Sequence, residues 1–189
     1  MPRIRPTGER PVLMPHRAEQ RGAEPAVQRT LGGVSLSSDS CVLGGAASQR
    51  RRLALLSLIA ASGDRGVTRD RLIGLLWPDS EPAKARQVLT QWLHLIRHDL
   101  GDGALFQGTA TLRLNLSHIT SDVGELHDAM DSNEAERAAA LYAGPFLDGF
   151  YLNGAPEFER WAEEERGRLA ARMRSTYEAL TRRAMTIEA

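Results

Sequence analysis

The stretch Pro82 to Leu100, PAKARQVLTQWLHLIRHDL, constrains this chain most. It opens on a proline where a helix tolerates one, stops before Gly101, and repeats its apolar residues at helical spacing. At 100° per residue, Ala85, Val88, Leu89, Trp92, Leu95, Ile96 and Leu100 fall on one side. The opposite side carries Arg86, Gln87, Thr90, Gln91, His94, Arg97 and His98, with Lys84 at its flank. It has no carboxylate, since Asp99 projects from the apolar flank. A solvated face that binds nothing usually mixes Glu with Lys. Gln and Arg can form paired hydrogen bonds to adenine and guanine edges, Thr can touch a thymine methyl, and no carboxylate here repels phosphate. The face therefore suits the major groove of double-stranded DNA, with a non-binding polar face as the plain alternative.

The neighbouring elements complete a familiar order. Thr30 to Leu36 and Ser40 to Leu43 read as a small hairpin. Ser48 is placed to cap a helix through QRRRLALLSLIAA that ends by Gly63, and Thr68 to cap RDRLIGLLW, stopped by Pro78. Asp79 is the expected cap of the third helix, and ALFQGTATLRLNL reads as a hairpin around Gly108. Two helices joined by a tight turn, a longer third helix and a hairpin make a winged helix-turn-helix. Beyond Ser117, helices are expected at Ser121 to Met130, at Asn133 to Tyr142 and from Glu157 onward, with a loop from Gly144 to Pro156. The expected fold is mainly α with small β: a solvated tail over residues 1–27, a winged helix over 28–117 and a helical module over 118–189.

Charge follows the same division. Residues 1–115 hold 16 Lys and Arg against 10 Asp and Glu, and residues 116–189 hold 8 against 14, so the formal net charge of zero hides two opposite halves. Arg50, Arg51, Arg52, Arg69 and Arg71 are candidate phosphate contacts, as are Arg86 and Arg97 at the rim of the third helix. Gln87, Thr90, Gln91 and His94 are the candidate base readers, and Arg113 the wing's basic residue. Several of these arginines serve equally well as helix caps. Tyr142, Phe146, Phe150, Tyr151, Phe158 and Trp161 cluster as a candidate partner-binding set beside Leu141 and Pro145; the same rings could simply pack the helices together.

Other chemistries find little support. The single Cys41 has no thiol to pair with, and neither GxGxxG nor GxxxxGK[ST] occurs. His94 and His98 stand at i, i+4 without a carboxylate on their face, so no metal and no cofactor is expected. The expectation is a DNA-binding protein that is not an enzyme, not in a membrane, and cytoplasmic. The competing reading is a helical adaptor whose winged helix no longer binds DNA.

Residues QRRRLALLSLIAASGDRGVTRDRLIGLLWPDSEPAKARQVLTQWLHLIRHDLG resemble the OmpR-like winged helix of the SARP-type antibiotic regulatory activators. LYAGPFLDGFYLNGAPEFERWAEEERGRL is similar to the bacterial transcriptional activator domain that follows it in that family. The resemblance covers roughly residues 30 to 185. It implies a tetratricopeptide-like helical domain, binding to promoter repeats as a homodimer, recruitment of RNA polymerase, and a place on the bacterial nucleoid. It also implies DNA contacts between Lys84 and His98. The wing departs from the family pattern, showing Ala110, Thr111 and Leu112 before Arg113.

Overall fold

A computed structural model describes residues 25–37, 46–100 and 104–187, without the side chains of 46–49 and 187. Residues 1–24 of the expected tail, the expected strand Ser40 to Leu43, Cys41 and the expected stop Gly101 lie outside the described residues. Two short strands, β1 (Ala26–Arg29) and β2 (Ser35–Ser37), pair antiparallel with Val27 opposite Ser37. The pairing is shifted toward the N-terminus from the expected hairpin. Gly32 and Gly33, both at positive φ, turn the chain inside the run Thr30 to Leu36 that reads as one strand. Ala26 and Val27, assigned to the tail from sequence, already belong to β1.

Three helices follow. Helix α1 (Ala46–Ala61) begins ahead of Ser48, which therefore lies within the helix rather than at its cap. A 3-10 turn (Gly63–Arg65) and β3 (Val67–Thr68) lead into α2 (Arg69–Leu76). Thr68 caps α2 as expected, accepting from the Arg71 N–H at 3.3 Å. After a turn comes α3 (Pro82–Asp99), then β4 (Phe106–Gln107) and β5 (Thr111–Leu114), which pair antiparallel with each other, while β5 also pairs with β3. This is a winged helix-turn-helix. Gly108 makes the turn at φ 83°, where an added Cβ would sit 2.1 Å from the Thr111 carbonyl oxygen.

The chain then returns to its start. Strand β6 (Ile119–Ser121) lies parallel to β1, giving a sheet of order β2-β1-β6. The helical part comprises α4 (Asp122–Asp131), α5 (Ala135–Leu141) and the 32-residue α6 (Pro156–Ile187). One apolar core runs from Ala26 in β1 to Met173 in α6. No described helix is long and apolar enough to cross a membrane.

Asp122 joins the two ends of this path. Its two oxygens accept from the Thr30 N–H at 2.8 Å, the Thr30 hydroxyl at 2.7 Å and the Leu31 N–H at 2.9 Å, while Oδ1 also accepts from the Val123 N–H at 2.8 Å. The same turn docks on the loop before α6: the Leu147 N–H donates to the Thr30 carbonyl at 2.7 Å and the Gly32 N–H to that of Pro145 at 3.0 Å. Asp122→Ala is expected to lower unfolding free energy by about 3 kcal/mol, because it leaves charge-assisted donors without an acceptor, as read from urea unfolding.

The seam between α4 and α6 carries a buried acid-base pair. His127 Nε2 lies 3.7 Å from Glu165 Oε1, and Arg168 pairs with the other oxygen. Burial, then Arg172, hold His127 below the ordinary imidazole value of 6.5, with Arg65 acting the same way and Asp131 and Asp128 opposing. Burial pushes Glu165 up against the pull of Arg168, Arg65 and Arg172. The His127 contribution to stability is complete above pH 6.5 and is lost as pH falls through the folded value; that of Glu165 runs the opposite way. Thermal unfolding between pH 7.5 and 5.5 should therefore show a smaller loss of stability on acidification in His127→Gln than in the parent chain.

Candidate nucleic-acid interface

Helix α3 starts at Pro82 because Glu81, not the expected Asp79, caps it. The Glu81 carboxylate accepts from the Ala83 N–H at 3.2 Å and the Lys84 N–H at 3.1 Å. Its buried stripe is Ala85, Leu89, Leu93 and Ile96, whereas Val88, Trp92 and Leu95 are only half-buried. Leu93 is missing from the face drawn on the sequence, and the true stripe is turned by about 40° toward it. Trp92 finds its cover differently, standing edge-on to Trp77 at 5.1 Å.

The outward face holds Lys84, Arg86, Gln87, Thr90, Gln91, His94 and His98, all exposed. Asp99, at the end of the helix, accepts from Arg52 through Oδ2, while its Oδ1 lies 3.5 Å from Nδ1 of His98. Thr90 donates its hydroxyl to the Arg86 carbonyl at 2.9 Å, which settles its polar atom within the helix. Arg86 reaches Asp70 of α2 at 3.4 Å, but both side chains are well exposed, so the pair holds the guanidinium weakly. Arg86 and Thr90 border a cleft whose other walls are the start of α2 and the wing turn at Ala110.

Most of the remaining arginines assigned to phosphate from sequence also bond or stack on groups of the protein, several of them at its surface. Arg52 pairs with Asp99 at 2.7 Å and keeps 11% of its side chain exposed. Arg51 donates to the carbonyls of Leu76 at 3.4 Å and Asn153 at 3.1 Å. Arg50 donates to the Tyr151 carbonyl at 3.1 Å, with its guanidinium 5.6 Å from the Phe150 ring centre. Arg97, half-buried, stacks 5.4 Å from the Phe106 ring centre at the base of the wing. Arg69 holds the wing turn through the Thr109 carbonyl at 2.6 Å, and Arg113 turns back to the Asp64 carbonyl. Arg71 remains on the exposed side of α2. Arg50 to Arg52 thus link α1 to α2, to α3 and to the loop before α6, with Arg50 exposed.

The aromatic set divides in the same manner. Phe146, Phe150, Phe158 and Trp161 are buried and stack on one another at ring separations of 5.5–6.1 Å, so they are core rather than a partner surface. Tyr142 is half-buried, and Tyr151, with 65% exposed, alone of the six faces solvent fully.

The fold has a known counterpart. The structure of Mycobacterium tuberculosis EmbR in complex with a low-affinity phosphopeptide matches with a TM-score of 0.52 and 22% identity, over 86% of this chain and 48% of that one. The chain thus spans about half the length of that protein, and the likeness supports a winged helix followed by helices. No family model and no curated protein matches the sequence.

Arg52→Ala should cost about 2 kcal/mol, between the limits for exposed and buried ion pairs, because it removes the near partner of a half-buried Asp99 and a largely buried side chain. The shift in urea midpoint checks it, and Asp99→Ala in the Arg52→Ala background should cost far less than alone.

Proposed function

We propose that the chain is a sequence-specific DNA-binding transcriptional regulator that inserts α3 into the major groove. The observation that carries this reading is the outward face of α3: seven exposed polar or basic side chains without a carboxylate among them. The fold shared with EmbR is compatible with it. In this reading Gln87, Thr90, Gln91 and His94 meet base edges, Thr90 through its methyl group. Lys84, Arg86, His98 and Arg71 meet phosphates. Arg50, Arg51, Arg52, Arg97, Arg69 and Arg113 act indirectly, by fixing α1, α3 and the wing.

The resemblance noted in the sequence extends the proposal to an activator that binds promoter repeats as a homodimer and contacts RNA polymerase, with a tetratricopeptide-like helical domain. Of the six rings singled out in the sequence, Tyr151 and the open edge of Tyr142 are left for such a contact.

The test is selection of a binding site from random DNA, followed by titration of that site at several salt concentrations. Affinity should fall steeply with salt as phosphate contacts release counterions. Gln87→Ala and His94→Ala should each cost about 1–3 kcal/mol and relax preference at one or two base pairs, whereas Lys84→Ala should weaken all sequences alike and reduce the salt slope by about one. Weak binding indifferent to salt would favour an adaptor that has lost DNA binding. A consensus unchanged in Gln87→Ala and His94→Ala would remove α3 as the reader.

A further inference from the structure

Two imidazoles stand on the outward face of α3. His94 and His98 are one helical turn apart and both exposed, His98 with 79% of its side chain. Imidazole is the side chain whose ordinary titration falls between pH 5 and 8, so the charge of this face can change there while that of Lys84 and Arg86 does not. The other histidines of the described residues lie elsewhere, His127 in the seam between α4 and α6 and His118 just before β6.

The charges that neighbouring elements bring to these two rings are few. Asp99 reaches His98, with Oδ1 3.5 Å from Nδ1, and its other oxygen is taken by Arg52 of α1 at 2.7 Å. Asp70 of α2 pairs with Arg86, two turns ahead of His94 and so about 12 Å from it along the axis. Glu81 is engaged with the first N–H groups of α3, about 20 Å from His94. Both lie beyond the screening length of about 8 Å at physiological salt. On the side of the wing, Arg97 stacks on Phe106 and Arg113 turns to the Asp64 carbonyl.

A DNA duplex changes these surroundings, because it carries one phosphate charge per roughly 1.7 Å of its axis. An anion at hydrogen-bond distance favours the charged imidazole. The charged ring also offers two N–H donors in place of one donor and one acceptor, which suits phosphate oxygens and the O6 and N7 edge of guanine. Whatever favours a proton in the complex makes the complex tighter where protons are abundant. The gain is complete below the pH at which the free rings charge, and it is lost as pH rises through the value of the bound rings.

We propose that α3 takes up protons at His94 and His98 when it binds DNA, so that affinity for DNA rises as pH falls through the neutral range. The inference rests on the reading of α3 as the DNA-binding helix and adds a regulation of that site.

Fluorescence-anisotropy titration of the full chain with the duplex recovered by site selection, between pH 8.0 and 5.5 and at several salt concentrations, tests it. Affinity should rise by about tenfold or more from the upper pH to the lower. The salt slope should steepen by about one for each ring that gains a charge against phosphate. His94→Gln combined with His98→Gln should flatten the pH dependence and leave one salt slope at both ends of the range. Acid loss of the fold, to which burial of His127 contributes, lowers affinity instead and so cannot imitate the expected rise. An affinity that is constant or grows with pH, or a rise on acidification that persists in the double variant, would overturn the inference, while a steep salt slope would leave the regulator reading standing. Binding that is weak and indifferent to salt at every pH would remove both.

Discussion

The carboxylate of Asp122 is the constraint on which the arrangement depends. It is the first residue of α4, directly after β6, and it gathers the backbone N–H groups of Thr30 and Leu31 together with the Thr30 hydroxyl. Through that single side chain the turn after β1, the end of the β2-β1-β6 sheet and the start of the helical part share one anchor. Charge-assisted bonds to backbone amides are among the stronger hydrogen bonds a protein makes, and their donors here have no water to fall back on. The wing ends in β5 and the chain passes straight into β6, so the winged helix and the helices after it are tied at both the beginning and the end of the former.

A second set of ties follows from the chemistry of arginine. Its planar fork offers several donors at once, so it satisfies backbone carbonyls that no longer have a helical or sheet partner. Arg51 and Arg50 do this for Leu76, Asn153 and Tyr151, and Arg166 does it for Phe146 and Leu147 at 2.7 and 3.0 Å. Leu147 needs such support, since it is fully buried at φ 51°, a conformation that residues with a side chain rarely adopt. Basic residues that look like an electrostatic footprint in a linear sequence thus also stitch a loop in place.

What could be read from the sequence was whatever is decided locally. The helical period of Pro82 to Asp99, the Thr68 cap, Pro82 at a first helical position and the Gly108 turn each depend on residues a few positions apart, and the mainly helical class with a small wing follows from them. The wing itself needs only a turn and two flanking runs. Strand β6 was invisible because three residues gain strand character only by lying beside β1, more than ninety positions earlier. The rotation of α3 toward Leu93, the replacement of Asp79 by Glu81 and the engagement of Arg52 by Asp99 are likewise decided by packing around them. The aromatic cluster misled for the same reason. Ring content marks a place where much surface meets, without saying whether the other surface belongs to the same chain.

Helix α6 is 32 residues long, so it extends about 48 Å at 1.5 Å per residue. Phe158, Trp161, Ala162, Glu165, Leu169 and Met173 bury its first part, Leu180 is the last half-buried position, and residues 181–186 are exposed. An exposed stretch of helix draws little from packing, and here its tie to the rest is the exposed pair of Arg183 with Glu136 at 3.8 Å. Amide exchange along this one helix should therefore pass from rates set by unfolding of the whole protein to rates set by local opening, within about four turns after Met173. A single unbroken element thus carries a gradient of opening free energy, with hydrogen bonds of the same geometry lasting very different times at its two ends.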